Sequence, residues 1–265
     1  MHRVPCGNLP EVLPVLRTKG EVIEITFILI YGDDGTGKSI QCQKIAEVQE
    51  EPVHLSLAIK NRRLYRDNIV ESRELLKFSD DDTINPYKTM DAFQSEVSRI
   101  IKDNVNKCVV LDEIAPLRTF AQPCAIEWFN RNHSTKVSKI SESNFLAWEH
   151  VNQITYGVIE RLNNWAVIND ALILAITSLS DVRILEKGDD GKMHSITTGQ
   201  TVVNAKENIR KIADVRVRLD KDGKYGRGYW ATYEKLQAWM NPEPDHLKIT
   251  QDGLLGDFMV RGILE

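Results

Sequence analysis

The 265-residue sequence predicts an α/β fold, with a mostly parallel central sheet flanked by helices and an antiparallel hairpin at one edge. Three observations predict it. Apolar, β-branched runs at Val22–Tyr31, Lys107–Leu111 and Ala171–Ile176 read as strands, the first ending as one buried on both faces. Segments of helical composition alternate with these runs. Val215–Leu219 and Tyr229–Tyr233 flank the glycine-rich stretch Lys221–Gly228, which is the signature of a hairpin.

Taken in order, residues 1–21 carry Pro5, Gly7, Pro10, Pro14 and Gly20 and read as an extended N-terminal arm. The first strand runs directly into a glycine loop. Ile40–Gln49 reads as a helix that Pro52 ends, and Val53–Ile59 as a second strand. Asp67–Lys77 and Asp91–Asp103 read as helices, with Asp80-Asp81-Asp82 a solvated turn between them. Along Asn144–Trp165, Phe145, Trp148, Val151, Ile154, Val158 and Leu162 recur at steps of three and four, which predicts one long helix. Arg183–Val203 reads as a hairpin and Asn204–Ile212 as a helix. The expected organisation is an arm over 1–21, one domain over 22–240, and a tail over 241–265 that packs on it.

A formal charge of −4 gives the chain no bulk attraction to nucleic acid, so any such contact requires a local basic patch or an oligomer. Cys6, Cys42, Cys108 and Cys124 form no C-x-x-C pair and lie beside no histidine cluster. Unpaired thiols point to a reducing compartment. No run approaches a membrane span and no leader pattern opens the chain, so the expectation is a cytoplasmic protein (host cytoplasm if viral) without a membrane partner.

Gly32-Asp33-Asp34-Gly35-Thr36-Gly37-Lys38-Ser39 matches G-x-x-x-x-G-K-[ST] at every defined position. Phosphate oxygens require several backbone N–H groups converging on one point, and glycines let the chain wrap that closely. The following helix aims its N-terminus at the same anion. The expected ligand is ATP with Mg²⁺. Gly32 through Ser39, together with Ile40, contact the nucleotide; Lys38 bridges the β- and γ-phosphates; the Ser39 hydroxyl ligates the metal.

Cys108-Val109-Val110-Leu111-Asp112-Glu113 is an apolar strand ending in two acids. Asp112 is expected to hold the Mg²⁺ shell and Glu113 to act as general base on the attacking water. Ala171–Ile176 is expected to lie between the loop strand and the Asp112 strand. That would put Thr177 or Ser178 in reach of the γ-phosphate as a sensor.

These residues resemble the additional-strand class of P-loop ATPases, and within it the RecA-like ATPases of phages and archaeal viruses, including the single-strand-annealing-associated type. Four features carry the resemblance beyond the loop. They are the Asp112-Glu113 strand end, Trp148 near the start of a long helix, the late strand Ala213–Leu219, and the glycine turn leading to Tyr229–Lys235. In RecA-like enzymes the catalytic acid usually ends the strand after the loop helix. Here Leu55–Lys60 has no acid, so Glu113 takes that role. The resemblance implies a homo-oligomeric ring or filament in which a basic residue reaches the neighbouring subunit's γ-phosphate. Lys235 is the first candidate for this finger in trans, followed by Arg227, Arg218 and Arg210.

The leading expectation is a DNA-directed motor or remodelling ATPase, acting in recombination, annealing, replication or packaging. DNA contact is expected from Arg183, Lys187 and Lys192 in one hairpin and from Arg216, Arg218, Lys221, Lys224 and Arg227 in the other, with Tyr225, Tyr229 and Trp230 available for stacking. The alternatives are a nucleotide-dependent switch with little turnover, and a small-molecule kinase for which Arg62–Arg66 would serve as lid. The absence of an N-K-x-D run favours ATP over GTP.

Overall fold

The computed structural model describes residues 25–57, 70–143, 145–187, 193–222, 227–235, 246–249, 253–261 and 263–264. In chain order its strands are β1 (Phe27–Gly32), β2 (Pro52–Ser56), β3 (Glu71–Glu74), β4 (Cys108–Asp112), β5 (Leu172–Thr177), β6 (Leu179–Lys187), β7 (Met193–Val203), β8 (Val215–Lys221), β9 (Tyr229–Lys235) and β10 (His246–Lys248). Its α-helices are α1 (Lys38–Ala46), α2 (Pro86–Asp103), α3 (Leu117–Asn132), α4 (Leu146–Ile154), α5 (Tyr156–Asn169), α6 (Glu207–Ile212) and α7 (Gly253–Val260). Among the described residues no helix is long and apolar enough to cross a membrane.

One sheet has the order β10-β9-β8-β1-β5-β4-β2-β3. From β3 to β8 neighbouring strands run parallel, while β9 and β10 add antiparallel at one edge. Strand β5 lies between β1 and β4, as the chemistry of a shared site requires. The alternation of β1 supplies both faces. Phe27, Leu29 and Tyr31 join Phe93 and Val97 of α2, Ala121 and Ala125 of α3, and Ile159 and Leu162 of α5. Ile28 and Ile30 point the other way, toward Cys42, Ile45 and Ala46 of α1 and Leu254 and Phe258 of α7. Each fully buried large side chain of this kind stabilises the fold by roughly 1.5–3 kcal/mol.

The chain enters the sheet under control of one carboxylate. Asp214 Oδ2 accepts from the backbone N–H groups of Thr26 and Phe27, at 2.9 and 3.0 Å, and from the Thr26 hydroxyl at 3.2 Å. The Asp214 N–H donates in return to Phe27 O. This reciprocal grip sets the register of β1 against β8.

Several expectations are corrected. The segment read as a helix over Asp67–Lys77 contains β3, an edge strand parallel to β2; residues 58–69, including Arg62–Arg66, lie outside the described residues. Glu71–Glu74 has no apolar alternation, so its extended state comes from pairing with β2 rather than from pattern. The long helix over Asn144–Trp165 is two helices, broken at Thr155 (φ −110°, ψ −80°). The Thr155 hydroxyl donates to Val151 O at 2.7 Å, a local bond that competes with helix continuation. Phe145, read as a core position, precedes α4 at φ 78° and is 76% exposed. Helix α3 carried no sequence signal, because its apolar residues are poorly segregated and Pro123 lies inside it. The hairpin β6–β7 forms a sheet of its own.

Candidate active site

The loop between β1 and α1 is shaped by contacts that only these residues make. Gly32 lies against β8 so closely that a Cβ would sit 2.2 Å from Leu219 O. Gly32→Ala is therefore expected to destabilise the protein by about 1–3 kcal/mol through overpacking; a melting curve unchanged from wild type would refute that contact. Gly35 (φ 76°) and Gly37 (φ 85°) hold left-handed backbone, with no atom within 4 Å of a built Cβ. The surface they border is thus open. The Thr36 hydroxyl donates to Asp33 O at 2.8 Å and braces the turn. Asp33 and Asp34 are exposed, Ser39 is half-buried at the start of α1, and Ile40 is 45% exposed. No side chain caps α1, and its first turn has no acid.

Lys38 is buried, and its ammonium donates to Gly32 O at 2.8 Å and Asp33 O at 2.9 Å. Two neutral carbonyls orient an ammonium without neutralising it, so an anion in the loop would be strongly favoured.

Asp112 ends β4 and is 1% exposed. It follows Cys108 and Val110 on the sheet face that carries α1, the helix whose first turn holds Ser39. Behind it, His54 Nε2 approaches Asp112 Oδ2 at 3.4 Å. Glu113 follows Asp112 across a cis peptide. Its Oε1 accepts from the Ser178 N–H at 2.7 Å, beyond the end of β5. Burial raises the Glu113 pKa above the usual carboxylate range, partly offset by the nearby Lys38 cation and the Ser178 hydrogen bond. The central order β1-β5-β4 thus brings the loop, Ser178 and both acids to the same end of the sheet.

Thr177 is fully buried and donates its hydroxyl to Asn204 O at 2.8 Å. Ser178 is half-buried, and its Oγ accepts from Asn204 Nδ2 at 3.4 Å. Asn204, which follows β7, is a member of this end of the sheet that sequence reasoning did not single out. His54 is another; its only signal is a titratable side chain at a polar position of the alternating run Val53–Leu57.

The basic candidates are scattered. Lys235 lies opposite Arg216, toward the end of the sheet away from the loop, and its ammonium donates to the carbonyls of Lys211 and Ala213. Arg218 pairs with Asp220 at 3.0 Å. Arg210 lies on α6 and is half-buried. Arg227 is exposed in the turn before β9, at the loop end of the sheet. Lys221 lies over the Tyr229 ring at 5.6 Å, and Trp230 is half-buried. Lys224, Tyr225 and the side chains of Arg183, Lys187 and Lys192 lie outside the described residues.

The donor set fits Mg²⁺ held jointly by protein and nucleotide. Ser39 and Asp112 offer hard oxygen ligands. Among the described residues no group of three or more His, Cys, Asp or Glu side chains could hold a metal ion without such help.

No protein-family model matches the chain, and no curated protein matches it. Among solved structures, an ATPase from the type III secretion system of pathogenic bacteria aligns over 75% of this chain at 12% identity and a TM-score of 0.39. The alignment spans 53% of that chain, about half its length. At that level of likeness, the reading of the site rests on this chain's own residues.

Proposed function

We propose that the protein binds ATP with Mg²⁺ and hydrolyses it. The observation that carries this reading is the buried Lys38 ammonium, held at the open glycine loop by the Gly32 and Asp33 carbonyls, at the sheet end where Glu113 is fixed. The loop N–H groups and Lys38 bind the phosphates. Ser39 and Asp112 would hold Mg²⁺, which supplies neutralisation of phosphate charge. Glu113 orients the attacking water and takes its proton. Ser178 is the better placed sensor: its Oγ already accepts from Asn204, which leaves its own proton to donate. The Thr177 hydroxyl is engaged with Asn204 O.

The finer reading is a DNA-directed remodelling ATPase working as a ring or filament. The hairpin β6–β7 supports it, because both of its roots, Ser178 and Asn204, belong to the site, and Asn204 N donates to Ser178 O at 2.9 Å. A polymer bound to that hairpin would act on the residue that fixes Glu113. Arg227 is preferred over Lys235 as the finger in trans, since it is exposed and Lys235 is held by its own chain.

The test is ATP turnover with and without single- and double-stranded DNA, alongside size-exclusion chromatography. ATP is expected to promote oligomers whose DNA affinity falls steeply with salt. Charge reversal at Lys221, which has no place in the nucleotide site, is expected to weaken DNA binding and leave ATP affinity unchanged. A protein that stays monomeric with ATP, with turnover indifferent to DNA, would refute the DNA-directed reading and leave the nucleotide site standing.

A further inference from the structure

The geometry points to His54 as a positioning residue that fixes the Asp112 carboxylate for its metal, with Ser72 setting the imidazole tautomer. The inference rests on Asp112 being the Mg²⁺ carboxylate.

Strand β2 runs between β3 and β4, and the parallel registers put His54 opposite Ser72 on one side and Val110 on the other. One step on, Ser56 pairs with Asp112. His54, Ser56, Val110 and Asp112 therefore share the sheet face beneath α1, while Val53 and Leu55 point to the opposite core. His54 is 0% exposed. An apolar side chain would fill this site without the desolvation penalty an imidazole incurs, so a histidine here needs polar partners on both nitrogens.

It has them. His54 Nδ1 lies 3.0 Å from Ser72 Oγ, and Nε2 lies 3.4 Å from Asp112 Oδ2. A carboxylate accepts only, so a productive contact places the imidazole proton on Nε2. In the neutral imidazole Nδ1 then accepts, and the Ser72 hydroxyl is its donor. The opposite tautomer would set a nitrogen lone pair against the carboxylate. Ser72 thus selects the tautomer, and His54 holds Oδ2. The carboxylate is thereby restrained about its Cβ–Cγ bond. The 3.4 Å separation is at the long end for a hydrogen bond. This arrangement is the oxygen-ligand counterpart of the outer partners that orient metal ligands elsewhere, whose loss typically costs 10–100-fold in metal affinity.

The test measures the affinity of a fluorescent ATP analogue as a function of Mg²⁺, and Mn²⁺ binding by electron paramagnetic resonance, neither of which requires turnover. His54→Leu is expected to raise the half-saturating Mg²⁺ concentration by about tenfold or more, while analogue affinity in EDTA stays at the wild-type value. His54→Gln, whose amide can donate from a position near Nε2, is expected to restore most of the loss. Ser72→Ala, on the exposed edge strand, is expected to give a smaller rise in the same direction, and it decides the matter if His54→Leu does not fold. A folded His54→Leu with wild-type Mg²⁺ dependence, or Ser72→Ala without effect when His54→Leu cannot be measured, overturns the inference alone. A wild-type protein that shows no Mg²⁺-dependent binding of the analogue overturns both the inference and the nucleotide reading beneath it.

Discussion

Lys38→Ala is expected to lower ATP affinity by roughly 10²-fold or more, since hydrogen bonds to charged groups contribute about 1.5–3 kcal/mol each and in the proposed site this ammonium would make more than one to phosphate. The fold is expected to survive. Lys38 hydrogen-bonds backbone carbonyls of its own loop and belongs to neither apolar core, so its removal leaves the packing intact. Calorimetric titration with ATP, paired with a thermal melt, separates the two effects. A variant that melts like the wild type and binds ATP equally well would show that the loop is not a phosphate site.

The second large effect lies at Glu113. Glu113→Gln keeps an oxygen to accept from the Ser178 N–H and removes the proton acceptor. ATP binding is therefore expected to persist while single-turnover hydrolysis falls by about 10²-fold or more. Burial raises the Glu113 pKa, so the fold favours its neutral form. The sign of the pH dependence follows. A base must be ionised, so turnover should climb with pH along a limb displaced above the ordinary carboxylate range. Stability runs the other way: the contribution from neutral Glu113 is complete below the unfolded-state pKa and is lost as pH rises through the higher folded-state value. Glu113→Gln should thus melt above the wild type on the alkaline side, with the margin closing in acid. Wild-type turnover in the variant would place the base elsewhere.

Much of the site was legible because its signals are local. The loop spacing, the apolar run before it and the acids ending Cys108–Asp112 each declare themselves within ten residues, and the right-handed crossover habit of parallel sheets leaves few places for the strand between them. The hairpin β8–β9 was legible for the same reason, through its glycine turn. What escaped depends on partners distant in sequence. The Glu71–Glu74 strand has the composition of a solvated helix and is held extended by β2. The α3 helix scatters its apolar residues, and Thr155 interrupts a periodic run by a bond within its own turn. The Ser72–His54–Asp112 line could not be read at all, because it exists only once three parallel strands are in register.

The position of β1 also governs how the molecule is made. The strand that carries the glycine loop is the first described strand to leave the ribosome, yet its neighbours are β5 and β8. Until Val215–Lys221 has been synthesised, one edge of Phe-Ile-Leu-Ile-Tyr remains unpaired, and Gly32 has no Leu219 carbonyl to rest against. The centre of the sheet is therefore closed late, by the last of its described parallel strands. A nascent chain of this topology carries an apolar, β-branched segment in search of partners through most of its translation. Holding chaperones would find their target in the same segment that later carries the glycine loop.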